Sequence, residues 1–314
     1  MAFTIGFCIR RGSICLVDAT YQWVIARQSL RVRAFAVAAA ASGVVLLPLA
    51  WLLPDIEVLS PNAPVTLTLL AAGVVFGLGA RVNGGCAFGT LNRLSGGELN
   101  FSGTIIGAIC AALAIKDFTG LQPSMDGQTN SILASPLPWG LVALGLFAIF
   151  AQPALRRRHL QNLKSIFTRN DALLRPFTAM LVIGVLGGLL FALAGSWTHL
   201  AVIGRESAAL AENGQSSSSI KAIAGAFALV GGALFAALRS GRFAVQAPCL
   251  RQWARCFVGG GMMGASAAII PGGNGALLIY TMPSGAANGW AAFAMMLLAL
   301  AISFLPMRRT SRAA

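Results

Sequence analysis

The sequence predicts an all-α integral membrane protein with eight or nine transmembrane helices, some broken or re-entrant, in two halves related by a pseudo-two-fold. Three observations lead there: scarce charge, long apolar runs without two-residue alternation, and glycine-framed interruptions within those runs. Apolar residues fill 57% of 314 positions and charged residues only 10%. A water-soluble domain carries roughly a quarter charged residues, so this chain needs lipid as its solvent. In lipid, backbone N–H and C=O groups must pair internally, which leaves helices or closed barrels. Runs rich in Ala, Leu, Gly and Val without alternation favour helices.

Spans are expected at 34–53, 65–80, 101–115, 137–151, 177–194, 220–238, 257–270 and 286–305. Several fall short of the roughly 20 residues of a straight crossing. Short spans beside glycine suggest helices that stop within the membrane and resume after a break. Loop charge alternates along the chain. Basic residues collect in 10–33, 81–100, 152–176, 239–256 and the tail, while 54–64, 116–136, 195–219 and 271–285 are poor in them. The positive-inside bias puts the rich side and the C-terminus in the cytoplasm. These loops account for the net charge of +14, so the expected partner is membrane lipid and not nucleic acid. Segment 1–26 is a ninth, broken span or a re-entrant hairpin. The chain divides into a first membrane half (1–151, including that segment), a cytoplasmic connector (152–176) and a second membrane half (177–314).

Gly84-Gly85-Cys86 is the sharpest candidate site. Two glycines permit positive φ and close backbone approach. A helix starting near Cys86 would aim unpaired N–H groups into the break, where an anion is favoured. The thiol is a weak donor and a soft, polarizable atom, better suited to a sulfur-bearing anion than to phosphate. The same residues also fit a tight turn with a buried structural cysteine. Gly272-Gly273-Asn274 offers similar backbone with an amide in place of the thiol, and after Pro271 it also reads as an ordinary turn. The charge pattern sets the first break at a cytoplasmic end and the second at an outer end, as inverted repeats would. A second pairing matches Arg11–Cys15 with Arg242–Gln246 and brings Gln246 into the candidate path. Cys15 follows Arg11-Gly12-Ser13 and would lie in the first turn of a helix running to Ala26, where dipole charge favours anions. It also fits a basic interfacial helix with an incidental cysteine. Arg11, Arg81 and Arg93 could gather anions, although such arginines often only set topology.

The remaining chemistry is sparse. The chain has no Cys-x-x-Cys pair and no P-loop, so no metal, cofactor or ATP hydrolysis is expected. Cys8 and Cys15, like Cys249 and Cys256, are seven apart, roughly 10 Å on a helix, too far for a disulfide. Sequence spacing likewise offers no close redox pair for a membrane thiol oxidoreductase, which stays an alternative beside a channel for another small inorganic anion. The chain is read as a transporter, not an enzyme, with no catalytic residue. The small-residue stripes in 181–195 and 225–233 read as helix-packing surfaces.

Taken together, Gly6-Phe7 with Arg11-Gly12-Ser13-Ile14-Cys15, Asn83-Gly84-Gly85-Cys86 with Gly89 and Leu94, and Gly259–Asn274 resemble the YeeE/YedE family of sulfur transporters over nearly the whole chain. The resemblance implies a bacterial inner-membrane protein with central loops meeting from both faces. It further implies thiosulfate handed between thiols by S–H hydrogen bonds, at positions matching Cys15 and Cys86. The third family cysteine is Asn274 here. A small cytoplasmic sulfur-carrier protein is an implied partner.

Overall fold

The computed structural model describes residues 1–53, 58–61, 63–115, 173–195, 197–212, 216, 218–270 and 272–313. These form helices with no named strand among the described residues. The first half holds α1 (Ala2–Gly12), α2 (Leu16–Val24), α3 (Leu30–Leu52), α4 (Leu67–Asn83), α5 (Ala87–Leu94) and α6 (Ser102–Ile115). The second holds α7 (Pro176–Ala194), α8 (His199–Glu212), α9 (Ile220–Arg239), α10 (Leu250–Ile269), α11 (Gly273–Ala276) with a π-helical turn to Thr281, and α12 (Ala287–Ala313).

Five helical stretches are long and apolar enough to cross a bilayer: Leu30–Leu52, Leu67–Leu94, Pro176–Ala209, Ile220–Arg239 and Ala287–Met307. A sixth appears if α10 and its continuation Gly273–Thr281, bent by 45°, count as one span. The expected span 101–115 is a shorter apolar helix. The expected span 137–151 and most of the connector 152–176 lie outside the described residues.

The helix ends follow local chemistry. Thr66 caps α4 by accepting the Leu69 N–H at 3.2 Å, and Ser219 caps α9 by accepting that of Ala222 at 3.2 Å. Pro176 opens α7, where its missing N–H costs nothing. Three helices stop at a residue with positive φ and restart within a few residues, at Ser13 (φ 46°), Gly84 (79°) and Gly195 (67°), while α10 ends at the extended Ile270 and Gly272 (75°) opens the next helix. The interruptions therefore separate α1 from α2, α4 from α5, α7 from α8 and α10 from α11. Two differences from expectation follow. Residues 195–219, expected as a loop, contain the 14-residue helix α8. Residues 242–246 hold no helix break; they run extended beside Gly96–Leu99, with Ala244 N–H donating to the Gly96 carbonyl at 3.1 Å and Gln246 N–H to that of Gly97 at 2.9 Å.

Packing relies on small residues at close crossings, as the stripes suggested. A β-carbon added to Gly79 on α4 would lie 2.8 Å from Met262 Cβ on α10, and one on Gly184 of α7 would lie 2.9 Å from Ala41 Cβ on α3. The Ser42 hydroxyl donates to the Ile279 carbonyl, tying α3 to the π-helical turn. Overpacking a crossing costs about 1–3 kcal/mol. Gly79→Leu is expected to lower the thermal midpoint of the detergent-solubilised protein. Gly231→Ala, with open space around its Cβ position, is expected to leave it unchanged.

Candidate functional site

Helix α1 ends in a left-handed turn at Ser13, whose N–H donates to the Arg10 carbonyl at 3.3 Å while that of Ile14 donates to Ile9 at 3.1 Å. The chain then turns extended, and Cys15 becomes the N-cap of α2 (φ −153°, ψ 125°). It stands one position before the helix rather than within its first turn. Asp18, one turn on, pairs with Arg31 and accepts Gln22 Nε2 at 3.2 Å. Arg31 also donates to the Ser13 carbonyl at 3.4 Å, so α3 braces this break.

The second break is built around Asn83. Its Nδ2 donates to the Gly85 carbonyl at 2.6 Å and to Thr90 Oγ1 at 2.9 Å, and its Oδ1 accepts the Thr104 hydroxyl at 2.6 Å. The Cys256 thiol donates to its carbonyl at 3.7 Å. Asn83 is 1% exposed, so this one amide organises the last residue of α4, the break, α5 and α6. Gly84 then takes the left-handed turn, and Cys86 becomes the N-cap of α5 (φ −77°, ψ −175°).

The two cysteine breaks meet. The N–H of Leu16, first residue of α2, donates to Cys86 Sγ at 3.2 Å. The Cys15 thiol lies against that of Cys86. Gly89 makes room, because a β-carbon there would sit 2.5 Å from Cys15 Sγ. The Cys86 sulfur also faces the Phe88 and Gly89 amides, although neither closes a capping hydrogen bond. Sequence spacing gave no close thiol pair; folding supplies one across 71 residues, with both cysteines free thiols. Helix N-termini carry partial positive charge and unpaired N–H groups, so the site combines converging backbone donors with two soft S–H groups.

The late break touches this one through an aromatic ring. Asn274 is fully buried in α11, and neither its Nδ2 nor its Oδ1 has a partner. A β-carbon on neighbouring Gly275 would lie 3.2 Å from the Phe88 ring. The two breaks therefore meet through Phe88 and not through directly facing donors. Gly272 and Gly273, both at positive φ, form the entry to α11.

The other candidates sit elsewhere. Gln246 is exposed, held by its backbone beside Gly97 and Leu99, past the C-terminal end of α5. Arg11 is 2% exposed, with its guanidinium 5.5 Å above the Phe7 ring. Arg81 stacks 4.6 Å above Phe304 and donates to Met307 Sδ at 3.3 Å. Arg93 pairs with Glu98 at 3.1 Å. Neighbouring Arg10, not singled out from sequence, donates to the Asn92 carbonyl at 2.9 Å and clamps α1 to the end of α5. His199, first residue of α8, lies half-buried against the Ala87 backbone, beside Cys86. Among the described residues no cluster of three His, Cys, Asp or Glu side chains could hold a metal ion.

A family model described as sulphur transport matches residues 11–302. No curated protein matches the chain. The matched stretch includes Cys15, Cys86 and Asn274 and leaves out only the first ten residues and the last twelve.

Asn83→Leu removes three side-chain hydrogen bonds. At roughly 0.6 kcal/mol for each such bond in a membrane bundle, the loss is about 2 kcal/mol. Equilibrium unfolding in mixed micelles is expected to show that loss, and Asn83→Asp, which sets a buried carboxylate against the Gly85 carbonyl, a larger one.

Proposed function

The chain belongs to the sulphur transport family, and from that premise we propose that it carries a small sulfur-containing anion, thiosulfate being the best fit, through a path lined by Cys15 and Cys86. Membership makes it a transporter of sulfur compounds in a multi-pass membrane setting. The observation that carries the finer reading is the Leu16 N–H at 3.2 Å from Cys86 Sγ, with the Cys15 thiol beside it.

An anion entering a low-dielectric interior loses water, at a cost of tens of kcal/mol unless other donors replace it. Backbone N–H groups at the starts of α2 and α5 supply such donors without a full charge that would trap the ion. Neutral thiols add soft, weak donors suited to a terminal sulfur atom. Binding that is adequate yet weak lets the ion leave again. Gly84 and Gly85 shape the first break, and Gly272, Gly273 and Asn274 the second. Phe88 closes the step between them. Arg11, Arg81 and Arg93 bias the inner side electrostatically, and Gln246 belongs to the mouth.

The architecture goes with this reading: two membrane halves (1–151 and 177–314), eight or nine spans, an inverted pseudo-two-fold and a cytoplasmic C-terminus in a bacterial inner membrane. What supports it is that each half has a doubled-glycine break that opens a short helix, Gly84-Gly85 before α5 and Gly272-Gly273 at α11. A cytoplasmic sulfur-carrier protein would take the delivered anion. The adjacent thiols also favour a second reading, thiol–disulfide exchange, in which one thiolate attacks a partner protein's disulfide, one partner sulfur leaves as thiolate, and a trappable mixed disulfide remains.

Uptake of ³⁵S-thiosulfate into proteoliposomes tests transport. A hydrogen bond to a charged group is worth about 1.5–3 kcal/mol, so Cys86→Ala is expected to cut uptake at least about tenfold. Cys86→Ser, which keeps a donor but not the soft sulfur, is expected to recover only part of it. Full activity in Cys86→Ala would refute the thiol path.

A further inference from the structure

We propose that His199 couples anion uptake to protons: its ring takes up a proton from the outer side as the anion arrives and releases it to the cytoplasm as the anion leaves. The inference rests on the transport reading above and names the driving ion for the same path. Thiosulfate is a dianion, and an inside-negative membrane opposes its entry. A proton that enters with it cancels one of its two charges.

Three observations carry it. First, His199 lies inside Pro176–Ala209, a stretch long and apolar enough to cross a bilayer. Ionisable side chains are expensive there and mark ion and proton routes. The other charges of that stretch, Arg205 and Glu206, are neighbours of opposite sign, and Glu206 also accepts the Ser218 N–H at 2.7 Å. Second, the imidazole rests on the Ala87 backbone, next to Cys86. A β-carbon on Gly275 would lie 3.2 Å from the Phe88 ring and 3.8 Å from Thr198 Cγ2, so the starts of α5 and α8 pack around one point. A charge formed on the ring would act directly on an anion held at the Cys86 thiol. Third, the Nδ1 atom of this half-buried residue is closed off from solvent and has no partner. That nitrogen is open to a proton, and histidine is the side chain whose ordinary range spans physiological pH.

The elements around α8 supply no internal counter-ion. Helix α5 brings Cys86 and, in its last turn, Arg93, which pairs with Glu98. Helix α6 brings the exposed Cys110. Helix α9 brings Lys221 and Arg239 at its two ends, and α10 brings Arg251, Arg255 and Cys256 in its first two turns. The π-helical turn after α11 brings Tyr280, stacked on Phe191. No carboxylate belongs to any of these five helices or to that turn. The arriving anion is therefore the partner that a charged imidazole meets. Anion and proton then favour each other's binding by the same factor, so affinity for the anion rises as pH falls.

The test measures ³⁵S-thiosulfate accumulation in proteoliposomes with the outside more acidic than the inside and the membrane potential clamped at zero. One proton per anion raises the accumulation ratio about tenfold for each unit of pH difference. His199→Gln is expected to lose that response while still exchanging internal for external thiosulfate, though more slowly and at a rate indifferent to pH. A second measurement does not depend on that variant. The chain's only other histidine is His159, so in His159→Gln a ¹⁵N-histidine label reports His199 alone. Thiosulfate added at about pH 6.5, the ordinary histidine midpoint, is expected to move its ring signals from the neutral to the charged pattern. Wild-type accumulation that ignores the pH gradient overturns the coupling. So does a His199→Gln protein that still follows it, or a ring that stays neutral with thiosulfate bound. Wild-type protein that neither takes up nor exchanges thiosulfate would instead sink the transport reading itself.

Discussion

The arrangement depends on a restriction that lipid imposes: every helix that stops inside a membrane exposes N–H groups that must find a partner or a ligand. This chain interrupts four helices and brings the restarted ends together. The Leu16 N–H that reaches Cys86 Sγ is the point where one such end leans on another. Arg10, donating to the Asn92 carbonyl, and Gly89, packed against Cys15, reinforce that contact. The bracing by Arg31 and Asp18 on one side, and by Asn83 with Thr90 and Thr104 on the other, holds the two ends at that separation.

A division of labour between rigid and adaptable parts follows. The Asn83 amide is fully committed, with three side-chain hydrogen bonds in a buried setting. Asn274 is equally buried yet makes none. The first amide builds the scaffold, and the second is left without a partner. Phe88 stands between them, held by its position two residues after Cys86 and by the glycine it rests on. On the proposed route, an aromatic ring with weak donors on each side would let an ion pass in steps, with no stop deep enough to trap it.

Much of this was legible in the chain. Low charge and long apolar runs gave the helical membrane class without any contact being known. Gly84-Gly85 and Gly272-Gly273 announced breaks because residues without a β-carbon adopt positive φ easily. What sequence could not give was distance. Cys15 and Cys86 look unrelated along the chain, since their contact is made by tertiary packing of two short helices. Ser13 turns left-handed without being glycine, which pattern reading does not anticipate. The start of α8 was missed because its charges, Arg205 and Glu206, resemble a loop, and because Gly195 stands alone rather than doubled. The setting of the arginines was hidden in a different way. Charge counts treat them as facing water, but Arg11 is buried and Arg81 lies over Phe304, since long side chains cover apolar surface with their stems.

The adjacency of the two thiols can be measured directly. In a variant keeping only Cys15 and Cys86, with Cys8, Cys110, Cys249 and Cys256 replaced by serine, one equivalent of Hg²⁺ should bridge the pair. Both thiols would then be lost to maleimide labelling together. Independent labelling of the two cysteines, with one remaining fully reactive after Hg²⁺, would contradict the account.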